Sequence, residues 1–105
     1  MQKLTITVDE LKNNTDKYYV IDVREPDEVL ESGRMGFSVN IANSTFMDNL
    51  DKVPQDKNVV LHCKSGGGRS AKLTDALREK GYDNVVSLEG GIEGWKAAGL
   101  LTVKK

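Results

Sequence analysis

Short apolar runs alternate along the chain with stretches in which apolar residues recur every three or four positions. Tyr18 to Asp22 and Val59-Val60-Leu61 are runs of the first kind. They read as buried parallel strands, because a strand covered on both faces has no polar face to alternate. Lys3 to Ile6 alternates polar with apolar and suits a short edge strand; Val39 to Ala42 suits another short strand, and Asn84 to Leu88 the last one. Helix punctuation falls between them. Thr7-Val8-Asp9-Glu10 has the spacing of a capping box for a short helix through Leu11, which Asn13-Asn14-Thr15-Asp16 breaks. Pro26 suits the first turn of a helix through Leu30 or Glu31 that Gly33 stops. Ser44 or Thr45 is placed to cap a small helix carrying Phe46, Met47 and Leu50, with the polar connection Asp51 to Lys57 after it. Leu73, Ala76 and Leu77 share a helix face, and Gly81 suits its left-handed cap. Glu89-Gly90-Gly91 then turns into a helix carrying Ile92 and Trp95, which Gly99 ends. Strands alternating with helices predict an α/β fold with a central, mostly parallel sheet of about five strands and helices on both faces.

Composition narrows the function classes. The 105 residues are 38% apolar and 30% charged, the make-up of one globular domain expected to span residues 1–105. A formal net charge of −1 gives no reason to expect nucleic acid or an anionic membrane surface as a partner. The lone cysteine excludes an internal disulfide, and with one histidine it cannot supply the about four ligands of a dedicated zinc site. No metal and no cofactor is expected. The N-terminus lacks the apolar core of a signal peptide and no long apolar run occurs, so a reducing, cytoplasmic setting is expected.

The chemistry concentrates after the central apolar run, in His62-Cys63-Lys64-Ser65-Gly66-Gly67-Gly68-Arg69-Ser70. Cys63 sits where a strand ends and a helix begins. Open α/β sheets bind ligands outside the carboxyl ends of their strands, and a helix start adds unpaired N–H groups and the positive end of a dipole. Gly66, Gly67 and Gly68 let the backbone curl so that the amides from Lys64 to Arg69 can converge on one centre. With the Cys63 sulfur at that centre, its pKa would drop from about 8.5 towards neutrality or below. Arg69 adds a fixed charge on a planar donor fork. A lone cysteine is commonly a packed core residue. The glycine turn, the basic residues and the strand-to-helix position together favour a functional thiol here.

These residues resemble the rhodanese family of cysteine-based sulfurtransferases, and the resemblance runs from about Thr7 to Leu100. Tyr19-Val20-Ile21-Asp22-Val23-Arg24-Glu25-Pro26-Asp27-Glu28 is similar to the family's early strand-and-turn signature, and Asn40-Ile41 to the end of its second motif. Gly81 to Val85 with Leu88-Glu89-Gly90-Gly91-Ile92-Glu93-Gly94-Trp95 is similar to its closing strand and helix. The resemblance implies a three-layer rhodanese-like domain. Two departures stand out. Cys63 and Arg69 enclose five residues, one more than the usual rhodanese loop, and this spacing also resembles the signature of cysteine-dependent phosphatases and related arsenate reductases. In Gly33 to Asn40, Arg34 stands where rhodaneses often carry His, and Phe37 falls near their second glycine.

The resemblance implies sulfur transfer through a Cys63 persulfide. The donor would be a small sulfur anion, thiosulfate or a persulfide, drawn in by Lys64 and Arg69; the acceptor would be cyanide, a small thiol or a partner protein's thiol. Ser65, the three glycines and Ser70 complete the active-site loop. The wider loop also admits a tetrahedral oxyanion, the basis of a phosphatase or arsenate reductase alternative; a non-catalytic binding module is argued against by the intact Cys63 and Arg69. Asp22 and Arg24 are expected to pair and brace the loop, with proton donation by Asp22 as the lesser alternative. His62 precedes Cys63 on an extended strand, so its side chain is expected to point away from the thiol and tune the field. Trp95 reads as core.

Overall fold

The computed structural model describes residues 5–65 and 68–103. Five strands form one sheet: β1 (Thr5–Ile6), β2 (Tyr18–Asp22), β3 (Val39–Asn40), β4 (Asn58–His62) and β5 (Val85–Leu88). Their order is β1-β5-β4-β2-β3, and every pairing between named strands is parallel. The helices are α1 (Val8–Lys12), α2 (Pro26–Ser32), α3 (Arg69–Glu79) and α4 (Gly91–Ala97), with 3-10 segments at Thr15–Lys17 and Asn43–Lys52.

The uninterrupted apolar runs feed two faces, because successive strand residues point to opposite sides. Ile21, Val59, Leu61 and Val85 pack with Phe46 of the second 3-10 segment, with Val53 just after it, and with Leu73 and Leu77 of α3. Val20, Val60 and Leu88 pack on the other face with Leu11 of α1, Met35, and Ile92 and Trp95 of α4. Both faces are therefore covered, as the absence of alternation predicts. Among the described residues no helix is long and apolar enough to cross a membrane.

The local signals mostly act as read. The Glu10 N–H donates to Thr7 Oγ1 (3.1 Å) and the Thr7 N–H to Glu10 Oε1 (3.2 Å), closing the capping box. Pro26 opens α2, and Gly33 ends it at φ 84°. Gly81, at φ 99°, follows the end of α3. The expected cap at Ser44 or Thr45 does not form: the segment is 3-10, starts one residue after Ala42 and has no side-chain cap. The Glu25 carboxylate serves this helix start instead, accepting the Ser44 N–H at 3.2 Å and the Ser44 hydroxyl at 2.8 Å. β3 is shorter than the apolar pattern suggests and ends at Asn40.

The departures in Gly33 to Asn40 have structural partners. Arg34 bridges to Val103 in antiparallel fashion, Met35 is fully buried, and the Phe37 ring meets Trp95 edge-on at 5.7 Å. Register then levels three strand ends. Asp22 lies opposite His62 on β4 and opposite Asn40 on β3, and the next residue of the β4 chain is Cys63. The Asn40 side-chain amide donates to the Asp22 and Arg24 carbonyls at 2.8 and 2.9 Å, closing that end of the sheet.

Candidate active site

Cys63 leaves β4 at the carboxyl end of the sheet and is 3% exposed. Its Sγ lies 3.4 Å from the Ser70 hydroxyl in the first turn of α3. Ser70 is itself fully buried, 2.9 Å from the hydroxyl of Ser87 on β5. Gly68 supplies α3 with no capping side chain, so its first-turn amides are left for another acceptor near the sulfur. Lys64 and Ser65 are exposed. Gly66 and Gly67, on which the converging-amide expectation also rests, lie outside the described residues.

The backbone at Cys63 is held from below by α4. Ile92 N–H donates to the Cys63 carbonyl and Glu93 N–H to the Lys64 carbonyl, each at 3.0 Å. This approach leaves no space for a side chain at Gly91. A Cβ there would stand 2.5 Å from the Cys63 carbonyl oxygen and 2.7 Å from that of Lys64, and Gly91 takes φ 56°. The glycine pair shows in the sequence as a turn signal; the carbonyls it admits belong to a segment far away along the chain.

Asp22 and Arg24 form a buried pair. Arg24 Nη2 donates to Asp22 Oδ2 at 2.7 Å, and Arg24 Nε and backbone N–H both donate to Oδ1 at 3.0 Å. The remaining guanidinium donors reach Ser32 Oγ at 2.6 Å and the Gly33 carbonyl at 2.8 Å. The pair thus ties the carboxyl end of β2 to the end of α2, and Asp22 has both oxygens engaged by a permanent cation. His62 is fully buried; its Nδ1 lies 3.2 Å from the Cys63 carbonyl, and its Nε2 lies 3.8 Å from Asp22 Oδ2. The carbonyl can only accept, which assigns the ring proton of neutral His62 to Nδ1. Burial first of all pushes the His62 pKa down, against the opposing pull of Asp22. The ring holds the peptide of Cys63 and does not approach the sulfur as a base.

The cations of the loop are shared. Arg69 donates to both oxygens of Glu28 on α2, at 2.7 and 3.0 Å. This fork raises the Arg69 pKa and lowers that of Glu28. Lys64 reaches Glu93 at 3.9 Å, with both side chains more than half exposed. The sequence placed Arg69 as an open donor fork at the loop; Glu28, which it placed only as a helix-start acid, takes up that fork. A cleft of about 740 Å³ lies at the opposite, amino-terminal end of the strands, lined by residues including Lys17, Tyr19, Lys57 and Asn84. It is a sheet-length away from Cys63 and shares no residue with the loop.

Comparison with known proteins agrees with this arrangement. Residues 7–98 match the rhodanese-like domain family. A sulfurtransferase of Allochromatium vinosum is 30% identical over 87 residues, covering 83% of this chain and 79% of that protein. The probable adenylyltransferase/sulfurtransferase MoeZ of Mycobacterium tuberculosis is 39% identical over 97 residues, covering 87% of this chain but only 24% of that longer protein. The crystal structure of a rhodanese-related protein from Thermoplasma volcanium superposes with a TM-score of 0.89 at 34% identity, covering 96% of this chain and 98% of that one. With the matched fold, the cysteine at the carboxyl end of the central strand and these sulfurtransferase-named relatives, the chain belongs to the rhodanese-like domain family.

Proposed function

We propose that this chain moves sulfane sulfur through a persulfide on Cys63. The ionised sulfur attacks the outer sulfur of thiosulfate or of a persulfide donor. A new S–S bond forms on Cys63 as the donor's S–S bond breaks, and the bonding pair leaves on sulfite or on the donor thiolate. Cyanide, a small thiolate or a partner protein's thiolate then attacks the terminal sulfur, and the pair returns to Cys63. The two half-reactions share one enzyme form, so ping-pong kinetics are expected. A reducing compartment such as the cytoplasm keeps the acceptor thiols and Cys63 reduced between cycles.

The observation that carries this reading is the setting of Cys63. The sulfur is buried at the strand-to-helix junction beside a buried hydroxyl and the uncapped start of α3, and its carbonyl is clamped by α4. Such a site supports an anionic sulfur without needing a base next to it. Phosphoryl transfer would need in addition an acid for the leaving group. Asp22 is the carboxylate that the sequence offered for that task, and Arg24 occupies it. The five-residue spacing between Cys63 and Arg69 also resembles the phosphatase signature, so the test includes that chemistry. Purified protein and Cys63→Ser are assayed with thiosulfate, glutathione persulfide, an aryl phosphate and arsenate. Turnover of a sulfur donor that disappears in Cys63→Ser supports the proposal; Cys63-dependent hydrolysis of the aryl phosphate without sulfur transfer replaces it with the phosphatase reading.

A further inference from the structure

Cys63, Ser70 and Ser87 form a short chain of polar atoms inside the protein. The spacings are 3.4 Å from sulfur to the Ser70 hydroxyl and 2.9 Å from there to the Ser87 hydroxyl. Ser70 is fully buried and Ser87 is 1% exposed, so no bulk water competes for either hydroxyl. Ser87 sits on β5 beside Leu61 of β4, on the face that α3 covers. An apolar residue is the ordinary occupant of such a site, and a polar one without a partner would cost free energy.

The count of hydrogens gives the chain a direction. Each hydroxyl has one hydrogen and can also accept. An ionised Cys63 can only accept, so it takes the hydrogen of Ser70. The Ser70 oxygen is then left to accept from Ser87, which satisfies the Ser87 hydrogen as well. In the reverse direction the sulfur donates to Ser70 and Ser70 to Ser87, and the Ser87 hydrogen must look elsewhere inside the protein. The direction from Ser87 through Ser70 to the sulfur is therefore the one that satisfies both hydroxyl hydrogens, and an ionised sulfur is the stronger acceptor at its end.

We infer that Ser87 is a positioning residue for the Cys63 sulfur: its hydroxyl donates to Ser70 and so aims the Ser70 hydrogen at the ionised sulfur. Ser87 never touches a substrate. It acts through Ser70 on how readily Cys63 ionises, and on how well the terminal sulfur's partner atom is held between half-reactions. The inference rests on the proposed role of Cys63 as an ionised nucleophile, and it adds a residue from another strand to that site.

The test compares Ser87→Val with Ser87→Thr, two side chains of nearly the same shape that differ in the hydroxyl. Alkylation of Cys63 by iodoacetamide is followed from pH 5 to 10, which reports thiol ionisation independently of any sulfur donor. Removing a hydrogen bond to a charged group moves a pKa by about one to two pH units, and an indirect partner should account for about half a unit to one. Ser87→Val is expected to raise the apparent pKa of Cys63 by that amount, with Ser87→Thr close to wild type. In a Ser70→Ala background the Val substitution should have no further effect, because the path through Ser70 is already cut. If Ser87→Val folds poorly, Ser87→Ala replaces it in the same comparison. Equal profiles for all Ser87 variants and wild type overturn the inference, as do equal shifts for Val and Thr or an undiminished shift in the Ser70→Ala background. A wild-type profile centred on the ordinary thiol pKa of about 8.5, with no persulfide formed, overturns instead the functional reading on which it rests.

Discussion

Adding one carbon atom at Gly91 should loosen the sulfur site. The Cβ of Gly91→Ala would stand 2.5 Å from the Cys63 carbonyl oxygen, 2.7 Å from the Lys64 oxygen and 2.8 Å from the Lys64 carbonyl carbon. Carbon and oxygen normally meet at about 3.3 Å, so α4 and the Cys63 segment must separate by roughly 0.8 Å. Backbone sits on both sides, and no flexible side chain can absorb the overlap. The separation stretches both 3.0 Å bonds, from Ile92 N–H and Glu93 N–H, beyond hydrogen-bonding range. Losing two backbone bonds costs about 1–3 kcal/mol, and the left-handed φ of 56° adds about 1–2 kcal/mol for a residue with a Cβ. The sum is about 2–5 kcal/mol, a large share of the roughly 5–15 kcal/mol that holds a domain together. Gly99 supplies the control: it has φ 79° and nothing within 4 Å of an added Cβ, so Gly99→Ala carries the dihedral cost alone. Urea denaturation should show Gly91→Ala destabilised by at least about 1 kcal/mol more than Gly99→Ala. Persulfide loading of the folded fraction, measured in a single turnover at low temperature, should be slowed by about tenfold or more, because a displacement approaching 1 Å misplaces the nucleophile. Stability equal to Gly99→Ala together with wild-type loading would refute the clamp.

Three further outcomes test the supporting groups. Arg24→Met leaves the Asp22 carboxylate buried without its cation and should cost about 3–5 kcal/mol, seen as a lowered denaturation midpoint or a failure to fold; a loss below about 1 kcal/mol would show that Asp22 finds another partner. Glu28→Gln keeps the side-chain acceptor that caps the Glu25 N–H but removes the negative charge that faces Arg69, so kcat/KM for the thiosulfate dianion should rise a few-fold relative to a monoanionic persulfide; a fall for both donors would mean that Glu28 serves to hold Arg69 in place. For His62, burial lowers the folded pKa below the unfolded value of about 6.5, so the unfolded state takes up the proton first. Stability should be level above that pH and fall as pH drops below it, by up to about 1.4 kcal/mol per pH unit, and His62→Gln should flatten this part of the profile; an unchanged slope would assign the acid sensitivity to other groups.

Much of the fold can be read from local pattern. Val59-Val60-Leu61 announces a strand buried on both faces, Thr7 to Glu10 spells its own capping box, and Gly33 and Gly81 mark helix ends because each signal is completed within a few residues. The place of Cys63 between the end of β4 and the start of α3 is legible for the same reason, since the strand, glycine and helix signals follow one another directly in the sequence. What escapes the sequence are the contacts closed over distance. Glu28 meets Arg69 across 41 positions and Ser70 meets Ser87 across 17, and nothing local marks either partner. The Gly90-Gly91 pair is visible, but its purpose, admitting the Cys63 and Lys64 carbonyls, depends on how α4 docks under β4. Ser44 shows the opposite failure: its local cap signal is genuine, but the carboxylate of Glu25, brought beside it by β2 and β3, accepts the Ser44 N–H and hydroxyl and serves the helix start in its place.

The central claim is that sulfur passes through a covalent bond to Cys63, and intact-protein mass spectrometry tests it most directly. Reduced protein is incubated separately with thiosulfate and with glutathione persulfide, freed of donor, and weighed before and after addition of cyanide. One added sulfur atom, located on the peptide containing Cys63, absent in Cys63→Ser and removed by cyanide as thiocyanate, is the expected result. An unchanged mass with every sulfane donor, accompanied by turnover of an aryl phosphate through Cys63, would contradict sulfur transfer and assign the site to phosphoryl chemistry.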